Sequence, residues 1–163
     1  MIVASLGASA ILDYSAIRSP VAQPRNSVLG QGLSAIVGVA IAKLFMLNSN
    51  FNDIQWIAGA VACACASLVM CMTNTVHPPG GATAVIATTQ ANVISMGWWY
   101  VPITILGAVV MLIVALLWNN VLRQFPVFWW TPGPVGSKLS KPKEEIEKDV
   151  EKKAGRQDSD TSR

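Results

Sequence analysis

Thr75-Val76-His77-Pro78-Pro79-Gly80-Gly81-Ala82-Thr83-Ala84 lies between long uncharged stretches, and Gly7-Ala8-Ser9-Ala10 echoes its Gly-Ala-Thr-Ala part 74 residues earlier. Two prolines followed by two glycines cannot continue an ordinary helix, because Pro has no N–H to donate and Gly carries the largest backbone entropy cost. The expectation is an internally duplicated membrane protein in which Pro78-Pro79 ends one helix and Gly80-Gly81 starts another inside the bilayer.

Working outward, charge sets the class. The chain has 12 Lys and Arg and 9 Asp and Glu, yet the first 136 positions hold only Asp13, Arg18, Arg25, Lys43, Asp53 and Arg123. Six charges cannot cover the surface of a soluble domain of that size. The uncharged run 101–122 makes a helix of about 33 Å, enough to cross roughly 30 Å of hydrocarbon. Ile54 to Met72 is a second such run, and Val28 to Leu47 a third, with Lys43 close enough to its end to snorkel. Met1 to Leu12 is too short to span alone. The reading is an all-α, polytopic transmembrane bundle over residues 1–130, with helical segments near 1–12, 28–47, 54–73, 79–95 and 100–123. Residues 131–163 read as a charged, disordered tail on the cytosolic side.

Small residues fall on a helical grid. Gly30, Ser34, Gly38 and Ala42 recur every fourth position, as do Gly59, Cys63, Ser67 and Cys71, which is how membrane helices bring their backbones close. These two helices are expected to pack tightly in a compact bundle, and the same faces leave homo-oligomerisation open. Basic residues orient the chain: Arg18 and Arg25, in a loop at 13–27, share the inner side with the C-terminus, and the loop at 48–53 is outside. Pro78 to about Ile94 then has to cross outward as a weakly hydrophobic or broken span. Trp98, Trp99 and Tyr100 mark one interface, and Trp118, Phe125, Phe128, Trp129 and Trp130 the other.

A Gly-Ala-Ser/Thr-Ala segment followed by a loop and a long Gly-bearing helix occurs at 7–47 and again at 81–122, with the helix at 54–72 opening the second copy. By symmetry a helix is expected before residue 1, so the chain reads as starting late. Three crossings per copy make the copies inverted, which the charges favour; re-entrant small segments would make them parallel.

His77 to Ala84, together with Ser5-Leu6-Gly7-Ala8-Ser9-Ala10 and Ser19-Pro20-Val21-Ala22-Gln23-Pro24-Arg25-Asn26, resembles the HPP family of integral membrane proteins over residues 1 to about 123. The resemblance implies a multi-spanning protein with about four hydrophobic helices. Plastid and cyanobacterial members are implicated in nitrite transport, which implies a small-anion transporter here. Some bacterial relatives carry nucleotide-sensing domains, for which this tail is too short.

The candidate pathway follows from backbone chemistry. Free N–H groups of Gly81, Ala82 and Thr83, the Thr83 hydroxyl, and the matching amides around Gly7, Ala8 and Ser9 would face a small inorganic anion between two broken helices. The same residues would equally serve a tight helix crossing. His77 is the only histidine; the ordinary imidazole pKa of about 6.5 would let such a side chain carry a proton with the anion, and it would equally serve to cap a helix. Arg18 and Arg25, in a loop stiffened by Pro20 and Pro24, could draw anions to the inner mouth or anchor the interface, and the Gln23-Pro24-Arg25-Asn26 run tilts Arg25 towards a specific structural or binding role. The candidate set is therefore His77, Pro78, Pro79, Gly80, Gly81, Thr83, Gly7, Ser9, Arg25 and Asn26.

Other classes are disfavoured. Cys63 and Cys65 point about 200° apart on one helix, which argues against a metal site or a disulfide. Asp13 and Asp53 are the only carboxylates of the body, with no nucleophile and base pair, so an enzyme is not expected and no cofactor is implied. The expected partners are the lipid bilayer and a small anion, with no nucleic acid. A noncatalytic membrane scaffold or subunit is the alternative. No cleavable signal or transit sequence is visible in residues 1–20, and the membrane, plasma membrane or organelle, stays open.

Overall fold

A computed structural model describes residues 4–122 and 124–130, and every regular element among them is helical. The elements are α1 (Ala4–Ser15), a 3₁₀ turn at Pro20–Ala22, α2 (Pro24–Phe45), α3 (Phe51–Met72), α4 (Pro78–Thr89), α5 (Ala91–Met96), a 3₁₀ turn at Gly97–Trp99, and α6 (Tyr100–Leu122). The expected tail lies outside the described residues.

Three stretches are long and apolar enough to cross a membrane: Pro24–Phe45, Phe51–Met72 and Ala91–Val121. Their faces are arranged for lipid rather than water. On α6, Ile103, Leu106, Val110, Ile113, Leu117 and Val121 point outward, while Thr104, Ala108, Ala115 and Asn119 are buried. Large aliphatics gain nothing by leaving lipid, so the interior goes to small and polar side chains that pack closely and hydrogen-bond. The exposed Trp98 and Trp99 sit at the start of α6 and the exposed Trp118, Trp129 and Trp130 towards its other end, as interfacial aromatics do.

Helix boundaries are set by backbone chemistry that hydropathy does not register. Pro24 and Pro78 occupy first-turn positions, where a missing N–H costs nothing and a fixed φ favours the helix. Two expectations are corrected by this. Pro78-Pro79 opens α4 instead of closing a helix, with Gly80 and Gly81 inside its first turn. Arg25 and Asn26 stand in the first turn of α2, not in a loop. α3 ends in a Schellman arrangement: Asn74 takes φ 53°, Asn74 N–H donates to Cys71 O at 3.2 Å and Thr75 N–H to Met70 O at 2.9 Å. The outward segment is broken at Gln90, whose extended backbone separates α4 from α5.

α2 is the central helix, packed on α3, α4 and α6, while α1 packs on α4 and α6. The small-residue faces bring helices into close packing, α2 on α3 as well as both on α4. Both small-residue faces receive α4: a Cβ on Gly30 would lie 2.6 Å from His77 Cβ, one on Gly38 2.8 Å from Ala84 Cα, and one on Gly59 3.3 Å from Thr89 Cγ2. α4 is thus wedged between α2 and α3, a placement that no periodicity within either helix specifies.

One end of the bundle is tied by side chain to backbone bonds. Arg25 donates to Thr73 O (3.1 Å) and Trp130 O (3.3 Å), and Asn26 to Pro20 O (3.1 Å) and Val76 O (3.2 Å). The C-terminus of α1, the start of α2, the end of α3, the start of α4 and the segment after α6 therefore meet there. Fully buried Gln23 is the pin: its Nε2 donates to Ile17 O (3.0 Å) and Ser19 O (2.9 Å), and its Oε1 accepts from Val127 N (2.9 Å) and Phe128 N (3.3 Å). Gln23→Leu strands these groups and is expected to cost about 1–3 kcal/mol. Limited proteolysis should then cut the 124–130 segment faster; an unchanged digestion rate would refute the pin.

Candidate functional site

Ser5, Ser9 and Asp13 are buried and recur every fourth residue, so they share one face of α1. Ser27, Gln31 and Ser34 are buried along α2, and His77 and Thr83 are buried at the cap and in the second turn of α4. These three lines of polar groups meet inside the bundle.

Ser5, Thr83, Gln31, Ser9 and His77 form one hydrogen-bonded chain. Thr83 Oγ1 lies 2.6 Å from Ser5 Oγ and donates to Gln31 Oε1. Gln31 Nε2 donates to Ser9 Oγ at 2.8 Å, Ser9 Oγ lies 2.8 Å from His77 Nε2, and His77 Nδ1 lies 2.9 Å from Val21 O. A carbonyl only accepts, so Nδ1 carries the proton and Nε2 accepts from the Ser9 hydroxyl. The direction of the whole chain follows: Thr83 to Gln31 to Ser9 to His77 to Val21. Tyr100 OH adds a bond to Thr83 O at 3.3 Å.

The neighbourhood is polar and almost without charge. Asp13 is the one buried charged-type residue among those described, with Oδ2 accepting from Ser27 Oγ at 3.3 Å and its backbone O accepting from Asn119 Nδ2 at 2.9 Å. Its Oδ1 has no partner among the described residues.

The sequence candidates divide three ways. Ser9, His77 and Thr83 come together in the chain. Pro79, Gly80 and Gly81 are buried at the crossing and serve as close-packing surface: a Cβ on Gly80 would lie 2.5 Å from Ser34 Oγ, and one on Gly81 3.3 Å from Cys63 Sγ. Gly81 also floors a groove of about 490 Å³ between α3 and α4, with Cys63, Ser67, Cys71, Pro78 and Val85. Arg25 and Asn26 stand at the tied end, and Gly7 faces outward, where a Cβ would meet nothing within 4 Å. The expected cradle of free amides changes accordingly. With prolines at the first two positions and Gly80 N–H bonded to His77 O at 2.8 Å, the α4 terminus offers few open donors.

Gln31, Ser5, Asp13, Gln23 and Tyr100 are not among the sequence candidates. Gln31 carries a usable signal, since an amide in the middle of an apolar 22-residue helix is costly unless it is paired or functional.

The transmembrane-region model of the HPP family matches residues 1–126. The chain is a member of the HPP family. This HPP chain is 39% identical over 134 residues to one transmembrane protein of Dictyostelium discoideum, covering 80% of this chain and 46% of that protein. It is 40% identical over 132 residues to another from the same organism, covering 79% of this chain and 42% of that protein. The HPP chain thus spans a little under half the length of these relatives. No solved structure matches it. Family, helical fold and apolar spans together make this an integral membrane protein.

Proposed function

We propose that the HPP bundle carries a small monoanion of nitrite size across a membrane, exchanging the solute at Ser9, Gln31 and Thr83. The observation that carries the reading is the Gln31 bridge. α1 and α4 are both 12 residues long and begin 74 positions apart. The pairings of Ser5 with Thr83 and of Ser9 with His77 run them antiparallel. Ser9 and Thr83, 74 positions apart and thus equivalent, reach the two ends of one amide. This supports an inverted repeat, in which transporters place their solute between equivalent short or broken helices. The donors offered are neutral hydroxyls and an amide, which bind a weakly hydrated monoanion without trapping it as a buried arginine would. Release requires α4 to part from α2, and the glycine-lined crossing is the surface that would separate.

Nitrite uptake into proteoliposomes tests this, with nitrate and chloride as competitors. Thr83→Val keeps the shape and removes the hydroxyl. It should slow uptake about tenfold or more, the loss expected for one hydrogen bond to a charged solute. Uptake by Thr83→Val equal to the unsubstituted protein would remove Thr83 from the pathway.

A scaffold or subunit role is the second reading, favoured by one observation: the crossing at Gly30, Gly38 and Gly80 is too tight for a Cβ, and every hydroxyl in the chain is paired. Absence of flux for any of the three anions from folded protein would favour it.

A further inference from the structure

We propose that Asp13 is a proton-binding site of the bundle, taking up a proton at Oδ1 in the closed arrangement and releasing it when its contact with Ser27 of α2 opens. The side chain is fully buried, its Oδ2 is held by Ser27 and its Oδ1 meets no polar partner among the described residues. Tyr14 and Val28, which follow Asp13 and Ser27 in sequence, pack with Leu116 against an apolar cluster of Ile17, Leu112, Ala115 and Phe125. A carboxylate without a counter-charge is far costlier in such surroundings than a neutral acid, so proton uptake is the way this side chain can remain there.

Among the described residues, few polar or titratable groups lie near it. Its own helix adds Tyr14, α2 brings Ser27, and α6 brings Asn119, which bonds the Asp13 carbonyl. Arg18 is exposed and Arg25 is engaged by Thr73 O and Trp130 O. Arg123, four positions after Asn119 in sequence, lies outside the described residues and enters the test as a variant. Ser9, one helical turn away on the same face of α1, bonds His77. Asp13 therefore ends the polar line that contains the proposed solute donors. A proton gained there balances the charge of one anion in transit, a coupling that rests on the transport reading, whereas proton binding itself does not.

The full chain in lipid nanodiscs, titrated by infrared difference spectroscopy, tests the site. Near neutral pH the unsubstituted protein and Asp53→Asn should both show the carbonyl stretch of a protonated carboxyl, and Asp13→Asn should lose it. No such band, or a band indifferent to Asp13→Asn, overturns the proposal. So does a band that emerges only in Arg123→Gln, which would make Asp13 the ionised partner of that arginine. In proteoliposomes, Asp13→Asn should keep nitrite exchange at equal pH while accumulation driven by a pH gradient falls to the level of empty vesicles. Gradient-driven accumulation unchanged in Asp13→Asn overturns the coupling. Absence of nitrite movement in the unsubstituted protein would count against transport alone, with the infrared band still deciding the proton site.

Discussion

Gly38→Val is expected to prevent the bundle from assembling. A first side-chain carbon at this position would lie 2.7 Å from Ala87 Cβ, 2.8 Å from Ala84 Cα and 2.9 Å from Ala84 O. Two of those neighbours are backbone, which cannot rotate away, so α4 would have to leave α2. Overpacking a tight core costs about 1–3 kcal/mol when side chains can shift, and more when they cannot. Against total stabilities of roughly 5–15 kcal/mol, two further methyl groups at a backbone contact should be disabling. Gly38→Ala should fold with a lowered melting point. Gly7→Ala has open space on all sides and should gain up to about 1 kcal/mol of helix propensity. Thermal melting in detergent, followed by size-exclusion chromatography, orders the three. A monodisperse Gly38→Val melting with the unsubstituted protein would show that α4 is not seated where described.

Gln31→Leu should be the most damaging change that leaves volume nearly intact. The amide spans α1 and α4, accepting from Thr83 and donating to Ser9. Leucine fills the space and takes one partner from each hydroxyl, leaving Thr83 with Ser5 and Ser9 with His77. An unsatisfied buried polar group costs about 1–3 kcal/mol, although measured pairs inside membranes average nearer 0.6 kcal/mol because the unfolded chain finds other partners. Two hydrogen bonds lost from one chain place the expected loss at about 1–3 kcal/mol. Steric-trapping or thermal stability in bicelles measures it. Combining Gln31→Leu with Ser5→Ala and Thr83→Val should recover part of the loss, since the Thr83 hydroxyl and its Ser5 partner are then gone together while Ser9 keeps His77. A triple variant no more stable than Gln31→Leu alone would mean the damage comes from packing instead.

The candidate site is half legible in the sequence. Ser9 and Thr83 stand out because they sit in the repeated Gly-Ala-Ser/Thr-Ala segments, and His77 because a sole histidine in an apolar body is conspicuous. Gln31 hides inside a helix whose glycines dominate its pattern. Sequence pairs Gly7 with Gly81, yet one faces outward and the other meets Cys63. Equal spacing along two helices does not orient them alike towards the centre when different neighbours pack on each.

Sequence by itself determined that this chain lies in a membrane, that its described elements are helical and roughly where each helix runs. Those properties are local: an uncharged run of sufficient length needs lipid, and within lipid the backbone must bond to itself. Its motifs were also enough to indicate the HPP family. Only the tertiary structure decided that α4 wedges between α2 and α3, that prolines open α4, and that Gln31 joins Ser9 to Thr83, with Asp13 one turn beyond Ser9 unpartnered at Oδ1 among the described residues. Those are relations between residues up to 78 positions apart, set by which small-residue face accepts which helix. Several faces in this sequence carry the same spacing, and the choice among them belongs to the packed whole.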